Sequence, residues 1–169
     1  CLEETIPTDR VTQDQVTESP FAASSTAMAM PAFMNTVFVL GDDDRHFDCG
    51  YAQMMHVRDV MTGDLAVLPS GYDWFNAWEL NQLMGESYIY NQSVWNFYTK
   101  LVQTANNTIG AIDPEITERA EDLYYLGTGY AYRAMAYLDM ARMYEYLPTD
   151  GTSPINADGN TVTGLTVPI

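Results

Sequence analysis

Val94, Phe97, Tyr98, Leu101, Val102, Ala105, Ile109 and Ile112 recur at spacings of three and four, and only an α-helix gathers residues so spaced onto one side. A helix opening near Asn91 must therefore bury one face against a partner. Asp113-Pro114 reads as an N-cap followed by proline at the first helical position, and Leu147-Pro148 as the stop of a second helix reaching about Tyr146. Such a helix would be about 50 Å long. Leu123, Leu126, Tyr130, Ala134, Tyr137, Ala141 and Tyr144 mark its expected buried side, and the small residues Gly127, Gly129, Ala131, Ala134 and Ala136 would let another helix come close. The pattern predicts an αα-hairpin over 91–146.

The rest of the chain is read around that hairpin. Residues 1–18 are polar, with Thr12 and Gln15 spaced as a capping box for a short turn at most, and are expected to form a tether. A first helix is predicted from Ser19, with Pro20 in its first turn, to about Asn35, kinked or ended by Pro31. Another spans about Gly50 to Met61, with Met54, Val57 and Met61 on one face and Gly63 as its stop. From Asp64 to Glu86 periodicity disappears, and Tyr72, Trp74, Phe75 and Trp78 gather in what reads as a loop. The fold class expected is all-α, mostly helical with long irregular loops.

Composition limits the partners. The chain has 169 residues, 47% of them apolar and 12% aromatic, enough to bury a sizeable core in one domain. Its 23 acidic and 7 basic side chains leave a formal charge of −16, with Lys100 the only lysine. A surface this negative repels phosphate backbones and anionic headgroups, so nucleic acid is not an expected partner. The longest run of apolar residues and proline, Ala27 to Met34, is far short of the roughly 20 residues needed to span a bilayer.

Chemistry-bearing motifs are few. Asp42, Asp43, Asp44, His46 and Asp48 place oxygens at alternate positions, yet Phe47 and Gln53 stand where a calcium loop needs glycine and a bidentate glutamate. A solvated acidic turn is the preferred reading over calcium, and no cofactor is implied. His46 and His56 are too far apart for a two-histidine zinc helix. No Ser/His/Asp elbow, glycine-rich phosphate loop or singled-out carboxylate pair points to an enzyme. Cys49 is expected to be a small buried hydrophobe.

Three segments carry a resemblance. His46-Phe47-Asp48-Cys49-Gly50-Tyr51 with Arg58-Asp59-Val60-Met61-Thr62-Gly63-Asp64, then Thr104-Ala105-Asn106-Asn107-Thr108-Ile109, then Tyr132 to Tyr144 with its Arg133-Ala134 start, resemble SusD/RagB-family lipoproteins of Bacteroidetes. Leu165-Thr166-Val167-Pro168-Ile169 is similar to the family's following segment, so the likeness spans the chain and keeps the order of its motifs. Each motif alone is weak.

The resemblance implies an outer-membrane lipoprotein, facing the cell exterior, that captures glycans and delivers them to a SusC-like TonB-dependent transporter without chemistry of its own. It implies tetratricopeptide-like hairpins, to which Trp95, Tyr98 and the alanine-rich second helix are loosely similar. It also implies lipidation of Cys1, followed by Leu2, Glu3 and Glu4, which resemble an acidic surface-export tag. On this reading residues 19–169 are the amino-terminal part of a longer helical domain, incomplete at the C-terminal end. The alternatives are a peptide-binding RagB-like lipoprotein and a helical scaffold that docks only protein.

Sugar rings stack their C–H faces on aromatic side chains, and their hydroxyls bond to planar polar groups. Trp74 and Trp78 are the first candidates by resemblance, with Tyr72, Asp73, Asn76 and Asn81 interleaved. The competing reading packs these aromatics beneath the loop. Arg58 and Asp59 either orient sugar groups or brace the helix that ends at Gly63.

Overall fold

The computed structural model describes residues 21–36, 50–71, 74–85, 87–145, 153–155 and 158–161. Among them lie five α-helices: α1 (Ala22–Met34), α2 (Tyr51–Thr62), α3 (Trp74–Glu79), α4 (Ile89–Gly110) and α5 (Ala120–Tyr144). The described residues form no named strand, only an isolated bridge between Ile155 and Thr161. The tether over 1–18, Cys1, Cys49 and the acidic segment 42–48 lie outside the described residues.

The apolar stripe of α4 is the spine of the core. Val94, Phe97, Tyr98, Leu101, Val102 and Ala105 are all buried, each on the side the spacing predicts. Helix α5 runs back along it, because Gly129 lies beside Ala105 and Ile109, Asp139 beside Tyr98, and Tyr144 beside Asn91. The two helices make an antiparallel hairpin, and α1 packs on both.

Several expectations are corrected. Helix α5 begins at Ala120, because Asp113-Pro114 closes a turn of its own instead of starting the helix. Asp113 Oδ1 accepts from the Glu115 N–H at 2.9 Å, and the Asp113 carbonyl accepts from the Thr117 N–H at 3.0 Å. The 25 residues of α5 therefore span about 37 Å, not 50. Its buried side is also rotated from the expected one. Leu126, Gly129, Ala136, Asp139 and Met140 are buried, whereas Leu123 and Tyr130 are about half exposed and Ala134 is exposed. Bulky residues on α4 fill the interface, so α5 turns its small residues toward them. A Cβ added at Gly129 would meet Ile109 Cγ1 at 3.0 Å.

Helix α1 continues through Pro31 for another turn to Met34, where the expectation was a kink or a stop. The junction of α1 and α2 depends on a glycine. Gly50 has φ 68°, and a Cβ there would lie 2.8 Å from the Thr36 carbonyl oxygen. Gly63 ends α2 in the left-handed conformation at φ 82°, as the sequence predicts. The stretch 64–86 is not wholly irregular, since α3 carries the aromatics Trp74, Phe75 and Trp78. Asn81, at φ 53°, stands just beyond its end and donates its N–H to the Trp78 carbonyl.

Candidate functional site

A carboxylate inside the helical core organises the polar side of the fold. Asp139 on α5 is 6% exposed. Its Oδ2 accepts from the Tyr98 hydroxyl at 2.8 Å and, more loosely, from the Tyr51 hydroxyl at 3.4 Å. Its Oδ1 faces the Arg58 guanidinium, with Nη1 at 3.4 Å. Three helices thus meet on one anion: α2 contributes Tyr51 and Arg58, α4 contributes Tyr98, and α5 the acid. Burying a charge is tolerated only where it is paired and hydrogen-bonded, and Asp139 is both.

The tyrosines register this environment. Burial raises the Tyr98 hydroxyl well above its ordinary range, and its hydrogen bond to Asp139 raises it further. Tyr51 moves the same way, through burial and then the Asp139 charge. Burial also lifts Tyr90 strongly and Tyr144 to about 12. All four hydroxyls stay protonated at physiological pH, and those of Tyr98, Tyr51 and Tyr144 donate hydrogen bonds.

Beside the cluster opens a cavity of about 250 Å³. Arg58 and Met61 of α2, Met84 of the following loop, Tyr90 and Val94 of α4, and Arg142 and Met143 of α5 contribute to its wall. Asn91 fastens the loop to α4, donating its side-chain amide to the carbonyls of Met84 and Gly85. Tyr144 closes the far side by donating its hydroxyl to the Asn91 carbonyl at 2.9 Å. No acidic residue is among the described residues that line it. Arg58 is also unevenly satisfied: Nη1 faces Asp139, while Nη2 is buried without a hydrogen-bond partner.

The sequence candidates separate in this geometry. Arg58 is at the centre of the site, but it reaches across to α5 and does not brace the end of its own helix. Asp59 is exposed, and its carbonyl rather than its carboxylate receives the Asp64 and Leu65 N–H groups at the end of α2. Trp78 is corrected as a stacking platform. It is fully buried, with Tyr90 at 4.9 Å and Phe75 edge-on at 5.2 Å between ring centroids. Its large apolar area anchors α3 to α4 and leaves no face for a sugar.

Trp74 is half-buried and tilted against Trp78 at 6.3 Å, so it keeps some surface toward solvent. Asn76 is half-buried and Asn81 exposed. Tyr72 and Asp73 lie outside the described residues. Among the described residues no group of three or more His, Cys, Asp or Glu side chains could hold a metal ion. Nor is any described helix long and apolar enough to cross a membrane.

Comparison with known proteins adds no relative. No family model, curated protein or solved structure matches the chain.

Asp139, Tyr98 and Tyr51 are not among the site residues the sequence suggests: Tyr98 reads as part of an apolar stripe, and no local motif singles out Asp139 or Tyr51. A signal was present. Asp139 lies three residues after Ala136 and one before Met140, in phase with the buried side of α5. An acid at an apolar phase of a helix demands donors, and Tyr98 occupies the facing stripe.

Proposed function

We propose that this chain belongs to a glycan-binding lipoprotein of the SusD type, which captures oligosaccharide at the outer surface of the cell and passes it to a TonB-dependent transporter. The observation that carries this reading is the Arg58–Asp139 contact. The two residues come from separate segments that carry the resemblance, 81 positions apart, and they share one buried cluster. The antiparallel α4–α5 hairpin is the kind of unit that tetratricopeptide-like scaffolds stack.

On this reading the protein performs no bond chemistry. Glycan is held by stacking and hydrogen bonding, with Trp74 as the aromatic face and Asn76 and Asn81 as polar partners beside it. Trp78 supports that surface from beneath. Cys1 carries the lipid that holds the protein to the outer membrane, and a covalent anchor needs no basic patch on a chain of charge −16.

Calorimetric titration of the full chain against a panel of neutral and acidic polysaccharides tests this. Saturable binding that is lost in Trp74→Ala, with the helical circular dichroism unchanged, is the expected result. Absence of binding to every polysaccharide, together with no β-barrel copurifying with the lipidated protein, would remove the reading.

A further inference from the structure

We propose that the cavity between α2 and the last turns of α5 binds a small organic monocarboxylate, its carboxylate held by Arg58 and Arg142 and its apolar body against Met61, Met84 and Val94.

Charge is the first argument. The whole chain holds only seven basic side chains against 23 acidic ones, yet two arginines line one cavity without an acid among its described lining residues. Arg58 is balanced by Asp139, which leaves Arg142 as the cation at this cavity without a counter-charge among the described residues. Arg142 makes no ion pair or hydrogen bond within the described fold and is exposed, so its guanidinium is available. Asp139 balances the charge of Arg58 but does not occupy all of its donors. Its Oδ2 is taken by two tyrosine hydroxyls, and its Oδ1 meets only Nη1.

Geometry is the second argument. Arg58 Nη2 is buried without an acceptor among the described residues, an unfavourable state for a charged donor. A small turn of the guanidinium toward the cavity would let a carboxylate oxygen satisfy it, since Nη2 presents no surface there as the fold stands. Guanidinium groups present planar forks that match the two oxygens of a carboxylate, and two such forks fix its orientation.

Size and lining set the rest of the ligand. A cavity of 250 Å³ has room for about eight waters, which suits a single small molecule. The methionine and valine wall favours a hydrocarbon or aromatic body over a hydroxylated one. A phosphate dianion is more strongly hydrated and gains nothing from that wall. The inference stands apart from glycan capture at Trp74, and either can hold without the other.

Phenylacetate is the probe, with uncharged phenylacetamide as its near-isostere and inorganic phosphate as a competing anion. In the full chain labelled at its methionine methyl groups, phenylacetate is expected to shift Met61, Met84 and Met143 saturably. Phenylacetamide should bind at least roughly tenfold more weakly, as should phenylacetate to Arg142→Gln. Arg142 makes no ion pair or hydrogen bond among the described residues, so that variant is expected to keep the structure, and Arg58→Lys then tests the second fork. Equal binding of acid and amide, undiminished binding in Arg142→Gln, or no methyl shift at all would overturn the inference. Phosphate binding as tightly as phenylacetate would overturn the monocarboxylate assignment. Polysaccharide titrations report on Trp74 separately, so failure here is distinguishable from failure of the glycan reading.

Discussion

Tyr98 and Asp139 face each other across the α4–α5 interface, the phenol donating to the carboxylate at 2.8 Å with the tyrosine fully buried and the acid nearly so. This bond locks the register of the hairpin at its middle. Sliding α4 by one turn would bring Val94 or Val102 to the place of Tyr98 and leave the carboxylate with only its α2 partners. Tyr98→Phe removes one donor and is expected to lower unfolding stability by about 1–3 kcal/mol. Asp139→Asn leaves Arg58 without its counter-charge and should cost about 3 kcal/mol, the low end of the range for a buried pair because Arg58 is 26% exposed. In the Tyr98→Phe, Asp139→Asn double variant the losses should be less than additive, because both remove one interaction. Urea denaturation of the four proteins measures this, and strict additivity would show that the contact does not couple the helices.

Alkaline pH should weaken the fold through the same tyrosines. In the unfolded chain they ionise near 10, whereas burial holds Tyr98 and Tyr90 well above that and Tyr144 at about 12. Because the folded values are raised, the stability they contribute is fully present below pH 10 and is lost as pH rises through the folded values. The urea midpoint is therefore expected to fall from pH 10 upward, with part of the fall, from Tyr144, developing between 10 and 12. Tyr98→Phe should make the slope shallower. Ultraviolet titration showing all tyrosines ionising together near 10 in the folded protein would contradict the burial argument.

Two glycines on α5 should respond in opposite directions. Gly127 is exposed and a Cβ there meets nothing within 4 Å, so Gly127→Ala is expected to gain about 0.5–1 kcal/mol from helix propensity. Gly129 is buried where a Cβ would come within 3.0 Å of Ile109 Cγ1 and 3.4 Å of the Ala105 carbonyl oxygen. Gly129→Val would have to push α4 and α5 apart and should cost about 1–3 kcal/mol. Thermal melts of both variants decide it. A stabilised Gly129→Val would mean that the helices do not approach as closely as the structure has them.

How far the fold was legible follows from how each element earns its place. Helix α4 is readable because its stripe is buried along its length, so hydrophobicity and burial coincide. Helix α5 is only half readable. It faces α4 with glycine, alanine and an aspartate, and sends Leu123, Tyr130 and Leu138 toward solvent, so a count of large apolar residues selects the wrong side. Asp113-Pro114 carries a helix-start signal, but the same pair closes an independent turn, and local chemistry does not separate the two outcomes. Arg58 lies in one of the segments that carry the resemblance. Its partner Asp139 depends on a contact 81 positions away that no local pattern contains.

Trp74 and Trp78 sit on one turn of α3 yet should behave differently when truncated. Trp78 is fully buried between Tyr90 and Phe75, so Trp78→Ala removes the main anchor of α3 and is expected to cost about 3–5 kcal/mol. It should also disturb the cavity, because Tyr90 forms part of its wall and loses the ring packed against it at a tilt. Trp74 is half-buried, and Trp74→Ala should cost less than half as much while taking away the proposed stacking face. Denaturation combined with glycan titration separates the roles. A Trp74→Ala protein that unfolds as readily as Trp78→Ala would place Trp74 in the core and leave the α3 turn with no aromatic surface to offer a ligand.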